Sequence, residues 1–144
     1  MRDMAVSSAE RQHSSGQILH VDDDPATRQA VRGILSADHE IVSACGLTDA
    51  LDLARDGDFR LYLLGGMFQD GSSLELCYEL RLLDPGVPVL IHSLLPKELS
   101  QRLLSAGATE IVDRTAPPEA LTDAVRRHVG APSQSQRHVA ISAG

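Results

Sequence analysis

Between Gln17 and Val129, short apolar runs alternate with stretches of helical period. That pattern arises when parallel strands are joined by crossover helices. The first run, Ile18-Leu19-His20-Val21, stops at Asp22-Asp23-Asp24. Pro25 follows where a helix can begin, since its missing N–H would be unpaired in a first turn anyway. Val31, Ile34 and Leu35 then fall at i, i+3 and i+4. A second, more polar strand over Glu40 to Ala44 suits a place nearer the sheet edge. Thr48 is expected to cap the next helix, with Leu47 stapling its start and Leu51 and Ala54 facing inward. Leu61-Tyr62-Leu63-Leu64 is apolar throughout and runs into Gly65-Gly66, which predicts a central strand buried on both faces.

Ser72 or Ser73 opens a third helix that buries Leu76, Leu80 and Leu83. Val87 to Ile91 forms a fourth strand after the turn Asp84-Pro85-Gly86. Pro96 opens a helix that places Leu99, Leu103 and Leu104 inward, and Gly107 ends it as a left-handed cap. A short fifth strand near Glu110 to Val112 leads through Pro117-Pro118 to a last helix with Leu121, Ala124, Val125 and Val129 on one face. Right-handed crossovers make these five strands and five helices an α/β, doubly wound parallel sheet, for which the flavodoxin-like order 2-1-3-4-5 is the common solution. Ligands of such sheets bind beyond the carboxyl ends of the strands at the switch point, which gathers Asp22, Asp23, Gly65 and Ser93.

Composition narrows the picture. A chain of 144 residues fits one domain. Its 20 acidic against 13 basic residues give a net charge of -7 without a basic patch, so no nucleic-acid partner is expected. Residues 1–16 are polar and lack the apolar run of a secretory signal; no stretch is apolar enough to span a membrane. The expected organisation is a flexible N-terminal tail over 1–16, one domain over 17–129, and a polar, flexible C-terminal tail over 130–144 with no DNA-binding domain attached. Cys45 and Cys77 lack metal-type spacing and are expected to be buried free thiols in a reducing, cytoplasmic setting.

Two chemistries compete for the first turn. Asp22 and Asp23, adjacent carboxylates ending a strand, suit a hard cation such as Mg²⁺; equally, they could solvate the turn and favour the helix N-terminus, with Asp24 or Asp22 as cap. Asp22 and Asp24 also match the nucleophile-x-acid spacing of haloacid-dehalogenase-like phosphatases. Pro25-Ala26 stands where those enzymes usually carry Gly-Thr, and later paired carboxylates are missing. Flavodoxin-like FMN binding is disfavoured, because the acidic turn repels a phosphate. His20 and His92 lie in central strands, where a lone histidine is more often a hydrogen-bonded core residue; His20 is the better functional candidate because alternation puts it on the face of Asp22. Gly65-Gly66 reads as a turn needing positive φ or a close approach, and lacks the wider spacing of phosphate-cradling loops.

Taken together, Ile-Leu-His-Val-Asp-Asp-Asp, Leu-Leu-Gly-Gly-Met-Phe-Gln-Asp-Gly-Ser, Pro-Val-Leu-Ile-His-Ser and Ala106-Gly107-Ala108 followed by Pro118-Glu119 resemble the receiver domains of bacterial two-component response regulators, over about 110 residues. In that family an aspartate ending the third strand attacks a phosphoryl donor while first-strand acids hold Mg²⁺. A fourth-strand Ser or Thr and a fifth-strand lysine then bind the phosphate. Alignment through Met67 to Gly71 puts the aspartate on Gly65, a proline on Gln69, the lysine on Arg114 and its following proline on Thr115. The fifth-strand aromatic falls on Ile111, whereas Ser93 keeps the hydroxyl. Asp70 lies five residues past Gly65, too far to take its place without remodelling the loop.

The resemblance therefore implies an atypical receiver that lacks its phosphoacceptor and is not an enzyme. Mg²⁺ would be held weakly or not at all by Asp22, Asp23 and the Met67 carbonyl. Arg114, a planar fork in place of an ammonium, is expected to pair with Asp22 and Asp23. Output would pass to a signalling partner such as a histidine kinase or an output protein, or to a second copy. The implied contact surface is that of the fourth helix, fifth strand and fifth helix, here with Leu94, Leu95, Lys97 and Arg102.

Overall fold

A computed structural model describes residues 17–129; both expected tails lie outside the described residues. In chain order the elements are β1 (Gln17–Val21), α1 (Pro25–Leu35), β2 (Glu40–Ala44), α2 (Leu47–Asp56), β3 (Leu61–Leu64), β4 (Met67–Phe68), β5 (Gly71–Ser72), α3 (Ser73–Leu83), β6 (Val89–Ser93), α4 (Lys97–Ser105), β7 (Glu110–Asp113) and α5 (Pro118–Val129). β2-β1-β3-β6-β7 form one sheet, every pairing in it parallel. With the two-residue strands β4 and β5 set aside, this is the anticipated 2-1-3-4-5 order. No described helix is long and apolar enough to cross a membrane.

β3 is fully buried at all four positions because both sheet faces are covered. On one face Leu19, Val21, Tyr62, Leu64 and Ile91 pack beneath α2, α3 and α4. On the other, Ile18, Leu61, Leu63 and Leu90 meet Val31 and Leu35 of α1 and Leu121 and Val125 of α5. Each such Leu or Ile contributes about 2 kcal/mol by leaving water.

Local signals set most ends. Asp24 caps α1 by accepting from the Ala26 N–H at 3.3 Å, and Ser72 caps α3 by accepting from the Glu75 N–H at 3.2 Å. Gly107 follows α4 at φ +113, and its N–H and that of Ala108 close back on Leu104 and Leu103.

Several expectations need correcting. Thr48 does not cap α2: the helix starts at Leu47 behind Gly46, which offers no side chain. The fourth strand runs Val89–Ser93 rather than Val87 to Ile91, since Val87 and Pro88 still belong to the turn after α3. Leu83 and Leu104 are 42% and 46% exposed, because the helical stripe rotates off the sheet toward the ends of α3 and α4. Cys45 is exposed and only Cys77 is buried. Gly65 and Gly66 do not adopt positive φ.

At the amino ends of the strands, Arg81 ties two loops together, the one after α3 and the one after α4. Its guanidinium donates to the carbonyls of Gly107 (2.7 Å), Pro85 (3.0 Å) and Val87 (2.7 Å) and to Thr109 Oγ1 (3.1 Å). Nearby the Tyr62 hydroxyl donates to Asp84 Oδ2 at 3.0 Å, and burial, reinforced by that bond, pushes the phenol above its ordinary range.

Candidate functional site

Register fixes the centre of the carboxyl edge. Val21 pairs with Leu64, and Leu64 with Ile91, so the next residues, Asp22, Gly65 and His92, follow in one row. Gly65 is buried, and its N–H donates to the Val21 carbonyl at 2.8 Å. A Cβ added there would lie 2.5 Å from Oδ2 and 3.1 Å from Cγ of Asp22. The Asp22 carboxylate thus lies against the space that a side chain at position 65 would use. Asp22 is itself only 5% exposed, and its Oδ1 accepts from the Asp24 N–H at 2.9 Å. Burial raises its pKa, outweighing the Asp24 N–H and the more distant Arg114. Asp23 points into solvent.

Gly66 serves close approach in the same way, since a Cβ there would stand 2.8 Å from Ser93 Oγ. Its carbonyl accepts from the Ser73 N–H at 3.0 Å, closing the base of the β4–β5 hairpin. Asp70 sits in that hairpin and reaches across to α2. Its Oδ1 accepts from the Leu47 N–H at 2.8 Å and its Oδ2 from the Thr48 N–H at 3.0 Å. These backbone donors hold its carboxyl below the ordinary range. Asp70 is therefore the missing cap of α2, supplied through space, and neither of its oxygens faces the end of β3. Gly46 makes room, because a Cβ there would meet Asp70 Oδ1 at 2.6 Å.

The anticipated ion pair of Arg114 with Asp22 and Asp23 is not formed. Arg114 Nη2 donates instead to Thr27 Oγ1 at 2.6 Å, and the Thr27 hydroxyl in turn donates to Asp24 Oδ2 at 2.7 Å. The cause lies one residue either side. Asp113 Oδ1 accepts from both the N–H (2.7 Å) and the hydroxyl (2.6 Å) of Thr115, a tight Asx-type turn that carries Arg114 over α1. A cavity of about 300 Å³ opens there between α1 and the β7–α5 loop, lined by Thr27, Ile34, His92, Arg114 and Pro117 among others. Asp24 is occupied by Ala26 and Thr27, which leaves the phosphatase spacing of Asp22 and Asp24 without a free acid.

His20 is wholly buried on the α1 and α5 side, and neither ring nitrogen has a hydrogen-bond partner. Burial lowers its pKa to about 4, with His92, Arg28 and Arg32 adding to the shift. It is a neutral core residue at pH 7 rather than the hydrogen-bonded one anticipated. Burial lowers His92 as well, followed by Arg114.

Of the anticipated surface residues, Leu94 is 65% exposed and Lys97 is exposed, while Leu95 packs against the core. Arg102 is exposed and lies in the groove between α3 and α4. Sequence reasoning missed Thr27 and the capping role of Asp70. A Gly before a helix whose own residues supply no cap was the available signal for the latter.

The fold has known counterparts. Residues 18–126 match the model of the response regulator receiver domain. The chain is 30% identical over 115 residues to the C4-dicarboxylate transport transcriptional regulatory protein DctD of Pseudomonas aeruginosa, a match covering 77% of this chain and 24% of that protein, so the chain spans about a quarter of that relative. Among solved structures, a CheY-like receiver domain protein from Methanospirillum hungatei superposes with a TM-score of 0.77 at 24% identity, covering 83% of this chain and 98% of the other. NtrX from Brucella abortus does so with a TM-score of 0.76 at 26% identity, covering 87% and 29%. A match that runs from β1 into α5, on a sheet of the same order, means that this chain belongs to the response regulator receiver domain family of two-component signalling.

Proposed function

We propose that this receiver domain acts as a binding module whose state is not set by aspartyl phosphorylation. The observation that carries the reading is the pairing of Gly65 with Asp22: the residue ending β3 has no side chain, and the neighbouring carboxylate lies against the vacated space. Phosphoryl transfer to a carboxylate needs an accessible nucleophile and cations to screen its charge. Asp22 is buried, Asp70 is engaged on α2, and Arg114 is turned toward Thr27. Ser93 keeps the hydroxyl of a phosphate site, but no acceptor stands beside it.

Mg²⁺ fits this edge poorly. Asp22 faces inward with a raised pKa, Asp23 faces out, and the Met67 carbonyl would be the remaining donor. The chain is accordingly read as a cytoplasmic signalling protein without enzymatic activity. Its partner would be a histidine kinase, an output protein or a second copy, engaged at the α4–β7–α5 surface around Leu94, Leu95, Lys97 and Arg102. The charge of -7 favours a protein over a nucleic acid.

Mass spectrometry after incubation with acetyl phosphate and Mg²⁺ tests the reading. The wild-type chain is expected to gain no phosphate, while Gly65→Asp regains an acceptor. A phosphate on the wild-type chain that hydrolysis removes would overturn it.

A further inference from the structure

The partner-binding reading leaves one face of the molecule unexplained. α3 buries Leu76, Cys77 and Leu80 on its inner side, yet its outer side is apolar too. Leu74, Tyr78 and Leu82 follow one another at i, i+4 and i+8, a stripe about 12 Å long. Tyr78 is 60% and Leu82 69% exposed, so large apolar side chains stand in water where a receiver helix needs none for its own core.

The first two members of that stripe line a groove of about 800 Å³ between α3 and α4. Its floor is fixed, since Cys77 Sγ touches the Ala106 carbonyl at 3.8 Å and Arg81 binds the Gly107 carbonyl. The groove is thus preformed rather than opened by a ligand. Its rim carries three carboxylates, Glu75 and Glu79 from α3 and Glu98 from α4, against the single cation Arg102. Among the described residues, none of these four groups is engaged in an ion pair.

An apolar floor between two helices with an acidic rim has a complementary shape and charge: an amphipathic helix whose apolar face lies on Leu74 and Tyr78 and whose flanks carry Lys or Arg. We infer that the α3–α4 groove docks a cationic amphipathic helix of a protein partner. This inference rests on the reading of the chain as a binding module and names the chemistry of what it binds. It places that contact beside the Leu94 and Lys97 surface, with which it shares Arg102 of α4.

The test titrates the full chain, followed by NMR of its backbone amides, with a Leu/Lys peptide patterned as an amphipathic helix. A peptide of the same composition in scrambled order and a Leu/Glu peptide of the helical pattern serve as controls. Saturable shifts confined to α3 and α4 for the Leu/Lys helix alone are expected, weakening as salt rises. Glu75→Lys with Glu79→Lys should weaken the affinity about tenfold or more, and Tyr78→Ser should do the same without loss of amide dispersion, because all three side chains are exposed. Equal binding of the scrambled or acidic peptide, shifts elsewhere on the acidic surface, indifference to the Glu variants, or concentration-dependent self-association that covers the groove would each overturn the proposal. Phosphorylation of the wild-type chain would defeat the underlying reading and leave the groove titration intact, so the two failures are distinguishable.

Discussion

The two edges of the sheet use polar side chains in opposite ways. At the amino edge, Arg81 and Tyr62 reach from well-packed elements to hold the loops after α3 and α4, in bonds that are partly buried. At the carboxyl edge, Asp24, Thr27, Asp70, Arg114 and Asp113 bond to one another and to nearby N–H groups, mostly in contact with water. The first arrangement is structural. In the second, the polar groups are partners of one another and of backbone amides at the rim of the candidate site. The lesson is that polar groups at a hydrated edge can satisfy one another at little cost, whereas those at the amino edge hold the packing of the sheet.

Stability measurements can break this contrast. The largest effect is expected for Arg81→Ala, which leaves three carbonyls and a hydroxyl without their donor and should cost on the order of 3 kcal/mol in urea unfolding. A loss no larger than that of Arg114→Ala would dissolve the distinction between the edges.

Next comes pH. The pKa of His20 is about 4 in the folded chain and 6.5 when unfolded. Between those values the unfolded chain takes up a proton that the folded one refuses, so stability falls as pH drops from about 6.5 to about 4, by on the order of 3 kcal/mol in total. His39 and His92 add slopes of the same sign. Asp22, with its raised pKa, acts oppositely, losing stability as pH rises above the ordinary carboxylate range. His20→Val should remove most of the slope and raise Tm, since two unpartnered buried nitrogens go with it. An unchanged slope would show that the ring finds a partner in solution.

Gly65→Asp is expected to lower Tm modestly, because Asp22 must turn outward to admit the new Cβ, and it can do so as the end of a flexible side chain. The smallest effect is that of Thr27→Val. It unlinks Arg114 from Asp24 at a hydrated edge and should change stability by less than about 1 kcal/mol.

Much of the fold was legible because it rests on local chemistry. The apolar run of β3, the cap at Ser72 and the glycine after α4 each carry their own reason in adjacent residues. What stayed hidden depends on contacts across sequence. The direction of Arg114 is set by Thr115 on Asp113, a turn with no strong composition signal, so its expected pairing with Asp22 and Asp23 does not form. The β4–β5 hairpin is two residues deep, too short for any period to register. Leu83 and Leu104 satisfy a helical stripe and still face water, since periodicity says which residues share a face and not how far the underlying sheet extends.

The cap that Asp70 places on α2 has a consequence for the order of folding. Twenty-odd residues separate the carboxylate from the Leu47 and Thr48 amides, so the first turn of α2 cannot be completed locally. It must wait until β3 is in the sheet and the hairpin behind it has closed. Interactions formed so late are absent from the transition state and act on the rate of leaving the native state. Asp70→Ala should therefore speed unfolding while leaving the refolding rate nearly unchanged, and the two arms of a stopped-flow chevron would read this directly.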